Sequence, residues 1–195
     1  MNTRRLVPAL AISVVAILGS LALSAPVWAA HSSPQADVTS LQAHLDGFGQ
    51  VPPVITTGTG RFQASINADG TITYTLRYSQ LAGTGAVNFA DIHFGQRQAN
   101  GGVILFLCSN VPVAGGGIIV PAGTPPCPNG SGTGATVTGT VGAAGIVGPT
   151  AQGITPGNLA AALEALRSGL VYSQVHTVAF PGGEIRGQIG NEDSG

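Results

Sequence analysis

Three features of the chain predict an all-β domain carrying one short helix. Glycine supplies 30 of 195 residues while only 8% are charged, a composition too apolar for a disordered chain and too glycine-rich for a helical bundle. Stretch after stretch alternates polar and apolar side chains with period two, the spacing of a strand with one buried face. Turn signals separate these stretches at the intervals of an antiparallel sandwich or barrel, and the count comes to about eight strands.

The first thirty residues stand apart from that pattern. Arg4 and Arg5 precede an apolar run from Leu6 to about Ser24, which ends in Ala25-Pro26-Val27-Trp28-Ala29-Ala30. Two positive charges, an apolar centre and small residues before the junction form the pattern of a cleaved secretory signal peptide over 1–30. The alternative is an uncleaved N-terminal membrane anchor, since the run approaches the ~20 residues that span a bilayer. Cleavage would send the protein out of the cell or to the cell-envelope exterior or periplasm, with no membrane span remaining. Residues 31–40 read as a flexible lead-in, 41–190 as one β domain, and 191–195 as a tail.

Within the domain, Leu41, Ala43 and Leu45 alternate with Gln42 and His44 as a first strand, which Pro52 and Pro53 end. A hairpin follows: Phe62, Ala64 and Ile66 alternate with polar residues, Asn67-Ala68-Asp69-Gly70 turns the chain, and Ile72, Tyr74, Leu76 and Tyr78 return. Val87 to Gly95 is a further strand, with Ala90, Ile92 and Phe94 on one face and Asp91 and His93 on the other. After the Asn100-Gly101-Gly102 turn, Val103 to Leu107 is apolar on both faces and is expected at the centre of the sheet. Thr136 to Val141 adds one more strand. The helix is predicted over about 156–168, with Thr155 as its N-cap, Pro156 in its first turn and Gly169 as its stop.

Charge and cysteine usage narrow the classes of function. All seven basic residues are Arg, and removing Arg4 and Arg5 leaves five against eight acidic side chains. Without a basic cluster, binding to nucleic acid or anionic lipid is excluded as the main activity. Cys108 and Cys127 are an even pair in a chain read as exported, so a disulfide is expected; a metal pair is the weaker alternative, since no second pair of soft ligands completes it. The segment they enclose is irregular and apolar at Ile118, Ile119 and Val120, which makes it a candidate binding loop or a cover for a sheet edge.

The chain ends in two alternating runs, Tyr172 to Thr177 and Glu184 to Ile189, around Pro181-Gly182-Gly183. Tyr172, Gln174 and His176 share one face of the first run. Glu184, Arg186 and Gln188 are read together on one face of the second. A polar ridge results, with Tyr172, Arg186 and Gln188 in a structural role. Asp91, His93, His176 and Glu184 could converge on it, and two imidazoles with two carboxylates would suit Zn²⁺ or Cu²⁺. The competing reading has these groups hydrogen-bonded to one another and to backbone, fixing the register of a glycine-rich sheet.

Leu45-Asp46-Gly47-Phe48-Gly49-Gln50-Val51-Pro52-Pro53-Val54, Ile92-His93-Phe94-Gly95, Asn100-Gly101-Gly102 and the C-terminal Tyr172, Val175-His176-Thr177 and Pro181-Gly182-Gly183-Glu184-Ile185-Arg186-Gly187-Gln188 resemble the CHRD domain. That domain is named for chordin, an extracellular antagonist of bone morphogenetic proteins, and single copies occur in exported bacterial proteins. The resemblance covers about Leu41 to Ile189 and implies an immunoglobulin-like all-β fold with no settled activity. Many members have Ala-His-Ile-His where this chain has Ala90-Asp91-Ile92-His93, so one imidazole of any metal set is replaced by a carboxylate.

The expected function is therefore a non-catalytic binding or structural module acting on an unknown protein or envelope component, with metal binding around His93, His176 and Glu184 as the alternative. A catalytic role has little support in the sequence. There is no Gly-x-Ser-x-Gly elbow, and the Gly115-Gly116-Gly117 run lacks the Lys and helix of a phosphate loop.

Overall fold

The computed structural model describes residues 40–111 and 119–191. The segment 1–30 predicted as a signal peptide, residues 31–39 of the predicted lead-in, Ile118 and residues 192–195 of the predicted tail lie outside the described residues. Eight strands follow in chain order: β1 (Ser40–Asp46), β2 (Thr59–Ile66), β3 (Ile72–Ser79), β4 (Val87–Phe94), β5 (Gly102–Ser109), β6 (Ala135–Val141), β7 (Val171–Thr177) and β8 (Ile185–Asn191). The helix α1 (Leu159–Arg167) lies between β6 and β7.

The strands pair antiparallel in one sheet of order β5-β4-β7-β8-β1-β2-β3-β6. A bridge from Leu105 of β5 to Ile146, just beyond β6, draws the two ends together. The result is a nearly closed barrel, so of the two predicted architectures the barrel is the one formed. Period-two alternation supplies its interior: Leu41, Leu45, Phe62, Leu76, Ile92, Val175, Ile185 and Ile189 are buried. Each such side chain contributes about 1.5–3 kcal/mol on leaving water. In a chain with so few charges, this interior is the main source of cohesion.

Two expectations need correcting. The β5 run sits at one end of the sheet order, not at its centre. Its pairing with β4 shifts register twice, leaving Ile104 and Leu107 as extra residues on β5, and such bulges break strict alternation. Its free edge is covered instead by loops: Val147 N–H donates to the Ile104 carbonyl and Ser109 N–H to that of Pro125. The helix begins at Leu159, with the Asn158 side chain accepting from Ala161 N–H as N-cap. Gly157 takes a φ of 80°, a left-handed turn that separates Thr155 and Pro156 from the helix. Leu159 and Leu163 lie against the β2–β3 turn at Gly70, so the helix covers one end of the barrel.

Cys108 and Cys127 form a disulfide. In the segment they enclose, Val120 is buried at 3% exposure and Ile119 is exposed at 76%, so the apolar patch is split between covering the barrel and facing solvent. Among the described residues no helix is long and apolar enough to cross a membrane.

Candidate metal centre

β4, β7 and β8 are adjacent, and their outward side chains form a second layer outside the barrel. The register sets Asp91 beside Gln174, His93 beside Tyr172, and Gln174 beside Arg186. This is the predicted ridge, but it is covered. The β1–β2 connection and the β4–β5 turn fold over it, and every residue of β7 is buried. Arg186 is 2% exposed. Its guanidinium lies 3.4 Å over the Tyr172 ring and donates to the carbonyls of Gln96 and Ala99 and to Asn100 Oδ1. Gln188 donates to the carbonyls of Gly95 and Gly169. Tyr172, Arg186 and Gln188 thus anchor loops to the sheet.

At the centre of this layer stands Asp91, with no solvent exposure. His93 Nε2 is 3.1 Å from its Oδ1, and His176 Nε2 is 3.5 Å from the same oxygen. Each imidazole is fixed through its other nitrogen: His93 Nδ1 lies 2.9 Å from the Gly101 carbonyl, and His176 Nδ1 lies 2.9 Å from that of Pro181. A carbonyl only accepts, so Nδ1 carries a proton in both rings, and whenever a ring is neutral its lone pair is at Nε2. The rings are also clamped by their faces. His93 stacks on Tyr172 at 4.8 Å between centroids and His176 on Phe89 at 4.2 Å. Gly101 is required for this geometry, because a Cβ there would strike the Phe94 carbonyl.

The electrostatics follow from these contacts. Burial alone would raise the Asp91 carboxyl, but the charge of His93 and the hydrogen bonds of both histidines outweigh it and hold the group down to about 2. Burial pulls His93 the other way, yet the Asp91 charge prevails and its imidazole is raised above 6.5. With the carboxylate ionised and the rings neutral, three acceptors face one another. Neither Asp91 oxygen nor either Nε2 has any other partner among the described residues. One ligand atom from each of the three residues lies within 4.8 Å of the others.

Glu184 is not part of this group. The chain turns at Gly183, with φ 118°, and the Glu184 side chain leaves the ridge. Its Oε1 accepts from Thr56 Oγ1 at 2.6 Å and from Ala82 N–H at 2.8 Å, and its Oε2 accepts from Thr177 Oγ1 at 2.8 Å. It ties the β1–β2 and β3–β4 connections to the end of β7.

A family model for the CHRD domain matches residues 41–189, most of the chain and, of the barrel's first and last strands, all but the first residue of β1 and the last two of β8. The chain belongs to the CHRD-domain family. Neither the curated proteins nor the solved structures yield a match. In this CHRD domain the carboxylate of Asp91 stands between two imidazoles drawn from β4 and β7. Sequence alone pointed to Asp91, His93 and His176, but it missed the Gly101 and Pro181 carbonyls and the Phe89 ring. Backbone acceptors on distant turns leave no residue-type signal, and Phe89 resembled any other residue of an apolar strand.

Proposed function

We propose that this CHRD domain is an exported, non-catalytic module that holds one divalent transition-metal ion, Zn²⁺ or Cu²⁺, through Asp91, His93 and His176. The observation that carries the reading is the convergence of three lone-pair donors whose imidazoles are already committed at Nδ1 to backbone carbonyls. Such outer bonds fix the tautomer and aim that a metal-ligating histidine needs. The 3.1 and 3.5 Å separations of Asp91 Oδ1 from the two Nε2 atoms are those of ligand pairs on a centre about 2.0–2.2 Å from each, and all three atoms lie within 4.8 Å of one another. Two nitrogens and one oxygen suit either ion.

Covered donor atoms favour an ion that is held over one that turns over substrate. Export is supported by the leader pattern in residues 1–30 and by the disulfide, which persists in oxidising compartments. Any protein or envelope partner then meets a surface outside the cluster. Calorimetric titration of the metal-free chain with Zn²⁺ and with Cu²⁺ tests the proposal. We expect one ion per chain, bound tighter than about 100 μM, or about 5.5 kcal/mol. Failure of both ions to bind at that level would remove the metal reading and leave an imidazolium–carboxylate clamp.

A further inference from the structure

Away from the cluster, the outer faces of β1, β2, β3 and β6 carry a different chemistry. His44 is directly opposite Arg61, Arg61 is directly opposite Arg77, and Arg77 is opposite Thr136. All four are exposed. Like charges directly opposite one another on a sheet repel, and here two of the five arginines beyond the leader are so placed. Arg61 donates to Gln42 Oε1. Among the described residues neither arginine has a carboxylate within ion-pair distance. Asp46, the one acid on the outer face of β1, is occupied in accepting from Gly49 N–H.

The basic row lies in a shallow hollow of about 450 Å³ whose rim includes Thr59, Ser79, Thr133 and Thr136. Neighbouring strands lie about 4.8 Å apart, so the row sets one basic group per strand across three strands. Thr59 and Ser79, paired across β2 and β3, flank it on one side, and Thr75 and Thr138, paired across β3 and β6, on the other. This pattern fits a linear chain that crosses the strands and carries a negative charge at short, regular intervals and hydroxyls between. From this juxtaposition we infer that the outer face centred on His44, Arg61 and Arg77 is a binding site for an acidic polysaccharide, with carboxylates or sulfates on the arginines and sugar hydroxyls on the threonines. A nucleic acid is a poorer match, because the chain as a whole is not basic. The inference does not depend on the metal centre.

Polygalacturonate, a polymer of uronic acid, is the probe, titrated into the full chain and compared with uncharged dextran and with single-stranded DNA. We expect polygalacturonate binding that weakens with added salt, and no binding of dextran. The double variant R61Q/R77Q should bind about tenfold more weakly, and R61K/R77K should retain most of the affinity. Without polymer, the glutamine variant should melt at the same temperature as the parent or higher, because a repulsion has been removed. The proposal is overturned if polygalacturonate does not bind, if DNA binds as tightly, if R61Q/R77Q binds like the parent, or if that variant is destabilised on its own.

Discussion

Two buried carboxylates, Asp91 and Glu184, sit in the same small barrel and are completed in opposite ways. Among the described residues Glu184 meets three donors, two hydroxyls and one backbone N–H, and no positive charge. Its burial is compensated by the fold itself, since both of its oxygens accept hydrogen bonds from fixed donors. Among the described residues Asp91 meets only two imidazole nitrogens, and each can supply a hydrogen only when its Nε2 is protonated. The difference is one of completeness. The fold finishes the environment of Glu184 and leaves that of Asp91 dependent on something that binds and leaves, either a proton or a metal ion. A buried carboxylate is therefore a sign of structure or of function according to what surrounds it.

The largest expected effect comes from breaking the finished site. In Glu184→Ala the Thr56 and Thr177 hydroxyls and the Ala82 N–H lose their acceptor together, and unsatisfied buried donors are costly. We expect a loss of about 3–5 kcal/mol in denaturant unfolding, with Zn²⁺ affinity of the folded fraction unchanged within about twofold. A loss below about 1 kcal/mol would mean that Glu184 does not pin its three loops and that the two carboxylates do not differ as described.

At the unfinished site the ordering of effects reverses. Asp91→Asn removes the charged ligand, and since even outer-sphere partners of a metal are worth 10–100-fold, affinity for Zn²⁺ should fall by at least about 100-fold. Stability of the metal-free protein should change by less than about 1.5 kcal/mol, because the asparagine amide can donate to His93 Nε2. Calorimetry and unfolding of the same preparation read both numbers. Equal damage to stability and metal affinity would place Asp91 with Glu184, as a structural group.

How far these two sites could be read beforehand differs for physical reasons. Alternation along β2, β3, β4 and β7 was sufficient to locate these strands and to put Asp91 with His93, and Tyr172 with His176, on one face of their own strands, because side-chain direction in a regular strand follows residue number; that β4 and β7 are neighbours comes from the sheet order. The same rule assigned Glu184 to the face of Arg186 and Gln188 and failed there, because the positive φ at Gly183 interrupts the strand one residue earlier. It failed again in β5, where two bulges make an end strand look like a central one. That the polar ridge is covered was not legible, because nothing in Tyr172 or Arg186 reveals that the turns around Gly49 and Gly101 fold over them.

The smallest effect, and the one that separates proton from metal at Asp91, is the pH dependence of stability. The folded-state value of Asp91 is lowered to about 2 from the ordinary 3.8, so its contribution is present above 3.8 and is lost as pH falls toward 2. His93 is raised above 6.5, so its contribution is complete below 6.5 and is lost as pH rises through the higher folded-state value. The metal-free protein should therefore be most stable between these limits and lose stability on the alkaline side. A metal ion competes with the proton on Nε2, so Zn²⁺ affinity should climb over the same alkaline interval. Unfolding midpoints across a pH series, with chelator and with saturating Zn²⁺, should diverge as pH rises through the His93 titration. Parallel curves would mean that no ion occupies this centre, and an alkaline gain in the metal-free protein would mean that His93 is held neutral and the carboxylate has no proton partner at all.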